Sequence, residues 1–81
     1  SSFSEFLDEL ELALKKNVEF YLRSSNIKNK EVIKNISLFK KEFYIKIKSE
    51  YKSSNFKEID GKKLIESLIC EFLNKLKEIY K

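Results

Sequence analysis

The chain has 81 residues with no Pro, no His, one Gly and one Cys, and its 17 basic against 13 acidic side chains leave a net charge of +4. So few turn formers exclude an architecture of many short strands and favour a few long helices. The absence of His removes the commonest general base and metal ligand, and a lone Cys excludes an intramolecular disulfide framework, so packing has to hold the chain together.

A hydrophobic content of 42% suits a folded chain rather than a disordered tail, and the length suits one domain, residues 1–81. A core of this size is marginal, and seven Phe and four Tyr supply large buried area per residue. No stretch approaches the roughly 18 uninterrupted apolar residues of a membrane span, and the acidic opening SSFSEFLDELEL lacks a signal-peptide pattern. With a single Cys, a cytoplasmic setting is the most compatible. Sixteen lysines to one arginine, beside many Asn, Ile, Phe and Tyr, read as the codon bias of an AT-rich genome.

The first predicted helix covers about residues 3–23, where Phe3, Leu7, Leu10, Leu14, Val18 and Tyr21 recur at steps of three and four. Ser2 and Glu5 form the capping-box pattern S-x-x-E, and Glu5, Asp8, Glu9 and Glu11 favour the positive end of the helix dipole. Ser24-Ser25-Asn26 marks the exit, because these side chains compete for backbone hydrogen bonds. The second helix spans about 30–52, with Asn29 as N-cap and Val32, Ile36, Phe39, Phe43 and Ile47 on one face. Within it Phe43 to Lys48 is rich in β-formers and also fits a strand; the wider 3.6-residue period and the lack of bounding turn signals decide for helix.

Ser53-Ser54-Asn55 breaks the pattern, and Phe56 and Ile59 suggest a short extra turn near 55–60. Asp60 then caps a third helix, about 61–80, with Ile65, Leu68, Ile69, Phe72, Leu76 and Ile79 facing inward. The expected fold is all-α, a small three-helix up-down-up bundle.

Catalytic readings fail on residue types. Cys-His and Ser-His-Asp sites need an imidazole, and the serines sit where helix ends need caps. Gly61 in IDGKKL lacks the first glycine and the Ser/Thr of a phosphate loop, so it reads as a helix start. Glu5 with Glu9, and Glu66 with Glu71, lie off the apolar stripes and have no His partner, so they read as solvated. Pairs such as Glu11 with Lys15, Glu19 with Arg23, Glu42 with Lys46, Glu58 with Lys62 and Glu71 with Lys75 have the favourable i, i+4 order of a helical surface. No catalytic residue, metal ligand or cofactor is expected, and the chain reads as a non-enzyme.

The back of the second helix is the feature a plain bundle explains least. Leu38 and Ile45 fall opposite its buried stripe, among Lys34, Lys41, Lys48 and Lys52; Leu12 is similarly opposite the stripe of the first helix, Phe20 is at its flank, and Cys70 is off the third stripe. Charge is uneven as well: residues 1–14 hold four acids and no base, whereas 28–63 hold eleven lysines and five acids. Apolar anchors among lysines suit an acidic, partly apolar protein partner, a second copy of the chain included. The candidate contact residues are Leu38, Ile45, Leu12, Lys34, Lys41 and Lys48. The alternative is non-specific nucleic-acid contact by the basic 28–63 region; against base readout stands the single arginine, Arg23. Lipid binding fares worse, since the core claims the apolar face of the second helix and leaves two residues to insert.

Overall fold

The computed structural model describes residues 2–51 and 60–80, which form three helices, α1 (Phe3–Ser24), α2 (Lys30–Glu50) and α3 (Gly61–Ile79). Each start is capped as its sequence dictates. The Glu5 N–H donates to Ser2 Oγ at 3.1 Å, and the Ser2 hydroxyl donates to the Glu5 carboxylate at 3.1 Å. Asn29 Oδ1 accepts from the amides of Glu31 and Val32, and Asp60 Oδ1 from those of Lys62 and Lys63. These side chains satisfy amides that have no partner within the helix.

The end of α1 is a Schellman turn. The Ile27 amide donates to the Leu22 carbonyl at 3.0 Å, the Asn26 amide donates to the Arg23 carbonyl at 3.1 Å, and Asn26 takes a left-handed φ of 53°. Asparagine tolerates that conformation better than other residues with a Cβ, so Ser24-Ser25-Asn26 ends the helix through a specific geometry. The partly buried Leu22 and Ile27 supply the apolar contact that accompanies such a turn.

The three helices share one core. Phe6, Leu7, Leu10, Leu14, Val18 and Tyr21 are buried from α1, Ile36, Phe43 and Ile47 from α2, and Leu68, Phe72 and Leu76 from α3. The up-down-up order follows from contacts between ends: the Phe6 ring meets that of Tyr51 at 6.5 Å, and the Tyr21 hydroxyl donates to the Tyr80 carbonyl at 3.1 Å. Helix α1 packs closely on both others, whereas α2 and α3 approach less closely. Rings fill that wider space: Phe72 stacks on Phe39 and tilts against Phe43, each at 5.3 Å. Lys75 lies 6.0 Å from the centre of the Phe43 ring and 3.6 Å from Glu71, so its stem covers the edge of this cluster while its charge stays at the surface. The bundle measures 41 × 19 × 19 Å.

The Phe43–Lys48 hexamer is helical, as the wider period indicates: Phe43 and Ile47 are buried while Ile45, which a strand would put on the same face, is exposed. Other expectations change. Phe6, outside the predicted stripe, is buried against Tyr51, while Phe3 is only partly buried at the helix start. Ile79 is 57% exposed although its angle matches the α3 stripe. It lies at the end of α3 beside the α1–α2 link, where Ile27, Val32 and Ile79 share a shallow depression. Of the i, i+4 charge pairs, Glu71 with Lys75 is the one ion pair among the described residues. The short turn expected from Phe56 and Ile59 lies outside them, as do Lys52 and Glu58. Among the described residues no helix is long and apolar enough to cross a membrane.

Candidate interaction surface

A groove of about 390 Å³ runs between α1 and α2, lined by Glu11, Leu14 and Lys15 from α1 and by Ser37, Lys40, Lys41 and Tyr44 from α2. Its position follows from the packing. Both helices turn their stripes toward the common core, so the residues about one step round from each stripe border the seam between them. Leu14 and the ring of Tyr44 give the groove an apolar floor, and Lys15, Lys40 and Lys41 bring three positive charges against the one negative charge of Glu11.

Partial burial, with further contributions from the negative charges of Glu11 and Asp8, raises the Tyr44 pKa above its ordinary value. At neutral pH, where a tyrosine is protonated with or without that shift, the groove offers a phenolic O–H, the Ser37 hydroxyl and three ammonium groups as donors, beside one carboxylate acceptor.

The exposed apolar residues flank this groove. Leu12, Leu38 and Ile45 each directly follow a groove-lining residue, Glu11, Ser37 and Tyr44 respectively. At about 100° per residue each lies one step further round its helix, on the side away from the core. Their exposures of 52%, 49% and 54% agree with that placement. The structure thus sets Leu12 on one ridge and Leu38 with Ile45 on the other, where the sequence alone gave two unrelated exposed faces. Lys41 joins groove and ridge, since it lines the first and belongs to the lysine row of the second. Lys34 and Lys48 are exposed along the same row, one at each end of α2.

Lys15, Lys40, Ser37 and Tyr44 were not singled out by sequence. Their role on this face depends on which side of each helix meets the other, and the 3.6-residue period does not encode that. Phe20 is 61% exposed on α1, at the flank expected for it, and Cys70 is exposed on α3. Neither borders the groove. No protein-family model matches the chain, and neither a characterised protein nor a solved structure does.

Proposed function

We propose that the chain is a small non-catalytic interaction module that binds an acidic, partly apolar partner through the outer face of α2, with the α1–α2 groove and Leu12 completing the contact surface. The observation that carries this reading is the row of Lys34, Leu38, Lys41, Ile45 and Lys48 along one exposed side of α2, beside a groove with an apolar floor. Half-exposed Leu and Ile side chains gain by leaving water, and the surrounding lysines steer an acidic partner and reject a basic one. Leu38 and Ile45 are neither in the described core nor among the partly buried residues packed against it.

The test uses a labelled acidic amphipathic helical peptide, with Leu on one face and Glu on its flanks, and follows its binding by fluorescence anisotropy. The wild type should bind with an affinity that falls as salt rises. Combining Leu38→Ser with Ile45→Ser should weaken binding by about 2 kcal/mol, roughly thirty-fold, with circular dichroism unchanged. A double variant that binds the peptide as well as the wild type does overturns the reading.

The competing reading, non-specific nucleic-acid contact by the basic 28–63 region, draws on Lys40 and Lys41 of that region lining one groove, with Lys15 of α1 beside them. Duplex DNA bound more tightly than the peptide, and equally by the double serine variant, would favour it.

A further inference from the structure

The charges that line the α1–α2 groove are unevenly spread along it. Phe6 is level with Tyr51, and Leu22 and Ile33 line one depression further along, which sets the antiparallel register of the two helices. In that register Lys15 is level with Lys41, with Lys40 next to it in sequence, so the three ammonium groups belong to one level of the groove. Glu11 lies one turn, about 6 Å, back toward the Phe6 end, near the level of Tyr44. The charges of Glu11 and Asp8 both act on the Tyr44 hydroxyl, which agrees with that placement. None of Glu11, Lys15, Lys40 and Lys41 forms an ion pair within the described residues. Lys40 is partly buried, so its stem lies against the protein and its ammonium group has less freedom than those of the exposed Lys15 and Lys41.

We propose that this groove is a binding site for a small phosphate monoester with an uncharged aromatic body. The phosphate sits among Lys15, Lys40, Lys41 and the Ser37 hydroxyl, and the body lies along the apolar floor made by Leu14 and the ring of Tyr44. The site goes beyond the protein-contact reading, since it needs neither apolar ridge nor a protein partner.

Charge selects the monoester. Three ammonium groups against one carboxylate leave an excess of two positive charges, and a phosphate monoester carries about −1.5 to −2 at neutral pH. A carboxylate would match only half of that excess. A nucleic-acid strand carries phosphates in series, and the next one along the groove would meet Glu11 and Asp8. The same two carboxylates require the rest of the ligand to be uncharged, and the Tyr44 ring gives an aromatic body an edge or a face to pack on. The groove volume of about 390 Å³ falls within the roughly 300–1,000 Å³ of small-molecule sites.

The experiment is an amide chemical-shift titration of the isotope-labelled full chain with phenyl phosphate at low, matched ionic strength. The shifts should saturate with a Kd of about 1 mM and centre on Lys15, Ser37, Lys40, Lys41 and Tyr44. Inorganic phosphate and phenol, each holding half of the ligand, should bind about tenfold more weakly or worse. Combining Lys40→Gln with Lys41→Gln should weaken phenyl phosphate by about tenfold or more, whereas Lys63→Gln with Lys77→Gln, which removes the same charge from α3, should change it less than about twofold. Glu11→Gln should tighten binding by about threefold. The amide spectra of the variants report directly that they are folded. Shifts that do not saturate by about 20 mM, equal losses in the two double variants, or inorganic phosphate bound as well as phenyl phosphate overturn the proposal. A tyrosine-phosphorylated peptide bound more than about tenfold tighter than phenyl phosphate also overturns it, because the monoester would then belong to a protein. The unphosphorylated acidic peptide, whose binding tests the contact face, contains no phosphate, so the two readings fail separately.

Discussion

The Tyr21 hydroxyl donates to the carbonyl of Tyr80 at 3.1 Å and fastens the last turn of α1 to the end of α3, across 59 positions of sequence. Tyr21 is buried, so its hydroxyl has little access to water as a replacement partner, while its ring belongs to the core. Tyr21→Phe keeps the ring and removes the bond. It should lower stability by about 1 kcal/mol in urea unfolding, with the helical signal of the folded state unchanged.

Phe72 is the opposite kind of residue, all packing and no polarity. It is fully buried between Phe39 and Phe43, where α2 and α3 approach least closely. Phe72→Ala should cost about 3–5 kcal/mol, a large part of the roughly 4–12 kcal/mol expected for a chain of this length. Leu38→Ser, on the exposed ridge, should change stability by no more than about 0.5 kcal/mol. Thermal unfolding of the two variants side by side separates core from surface.

Asn26 holds the left-handed position that ends α1. Asn26→Gly removes the Cβ penalty and should match or slightly exceed wild-type stability, whereas Asn26→Ala should lose about 1 kcal/mol. Equal losses in both variants would mean that the Asn26 side chain, rather than the backbone conformation, matters here.

The raised pKa of Tyr44 has a defined pH consequence. At pH values below the ordinary 10.0 the folded and unfolded chains both hold the proton, and the group contributes nothing to the pH dependence. Above it the unfolded chain ionises first, so stability falls as the pH rises toward the folded-state value. In tyrosinate absorbance the titration should include a component above the ordinary range, which Tyr44→Phe removes together with part of the alkaline loss of stability.

The helices were legible because each boundary is written in local residues: Ser2, Asn29 and Asp60 cap three starts, and Ser24 to Asn26 end one helix. Periodicity gave most of the core for the same reason. It failed at Ile79, which has the correct angle but sits at the end of α3 beside the α1–α2 link, and at Phe6, which is buried with its ring against that of Tyr51 at the end of α2. The exposed Leu12, Leu38 and Ile45 were legible from angle alone. The groove between them was not, because Lys15 and Tyr44 acquire a common surface only when α1 and α2 pack at a particular rotation.

Amide chemical-shift mapping of the isotope-labelled chain during titration with the acidic amphipathic peptide tests that surface most directly. The shifts should concentrate on Leu12 and Lys15 of α1 and on the stretch from Lys34 to Lys48 of α2, and leave the outer side of α3 around Cys70 unchanged. Shifts centred on α3, or spread evenly over lysines throughout the chain, would contradict an α1–α2 contact face.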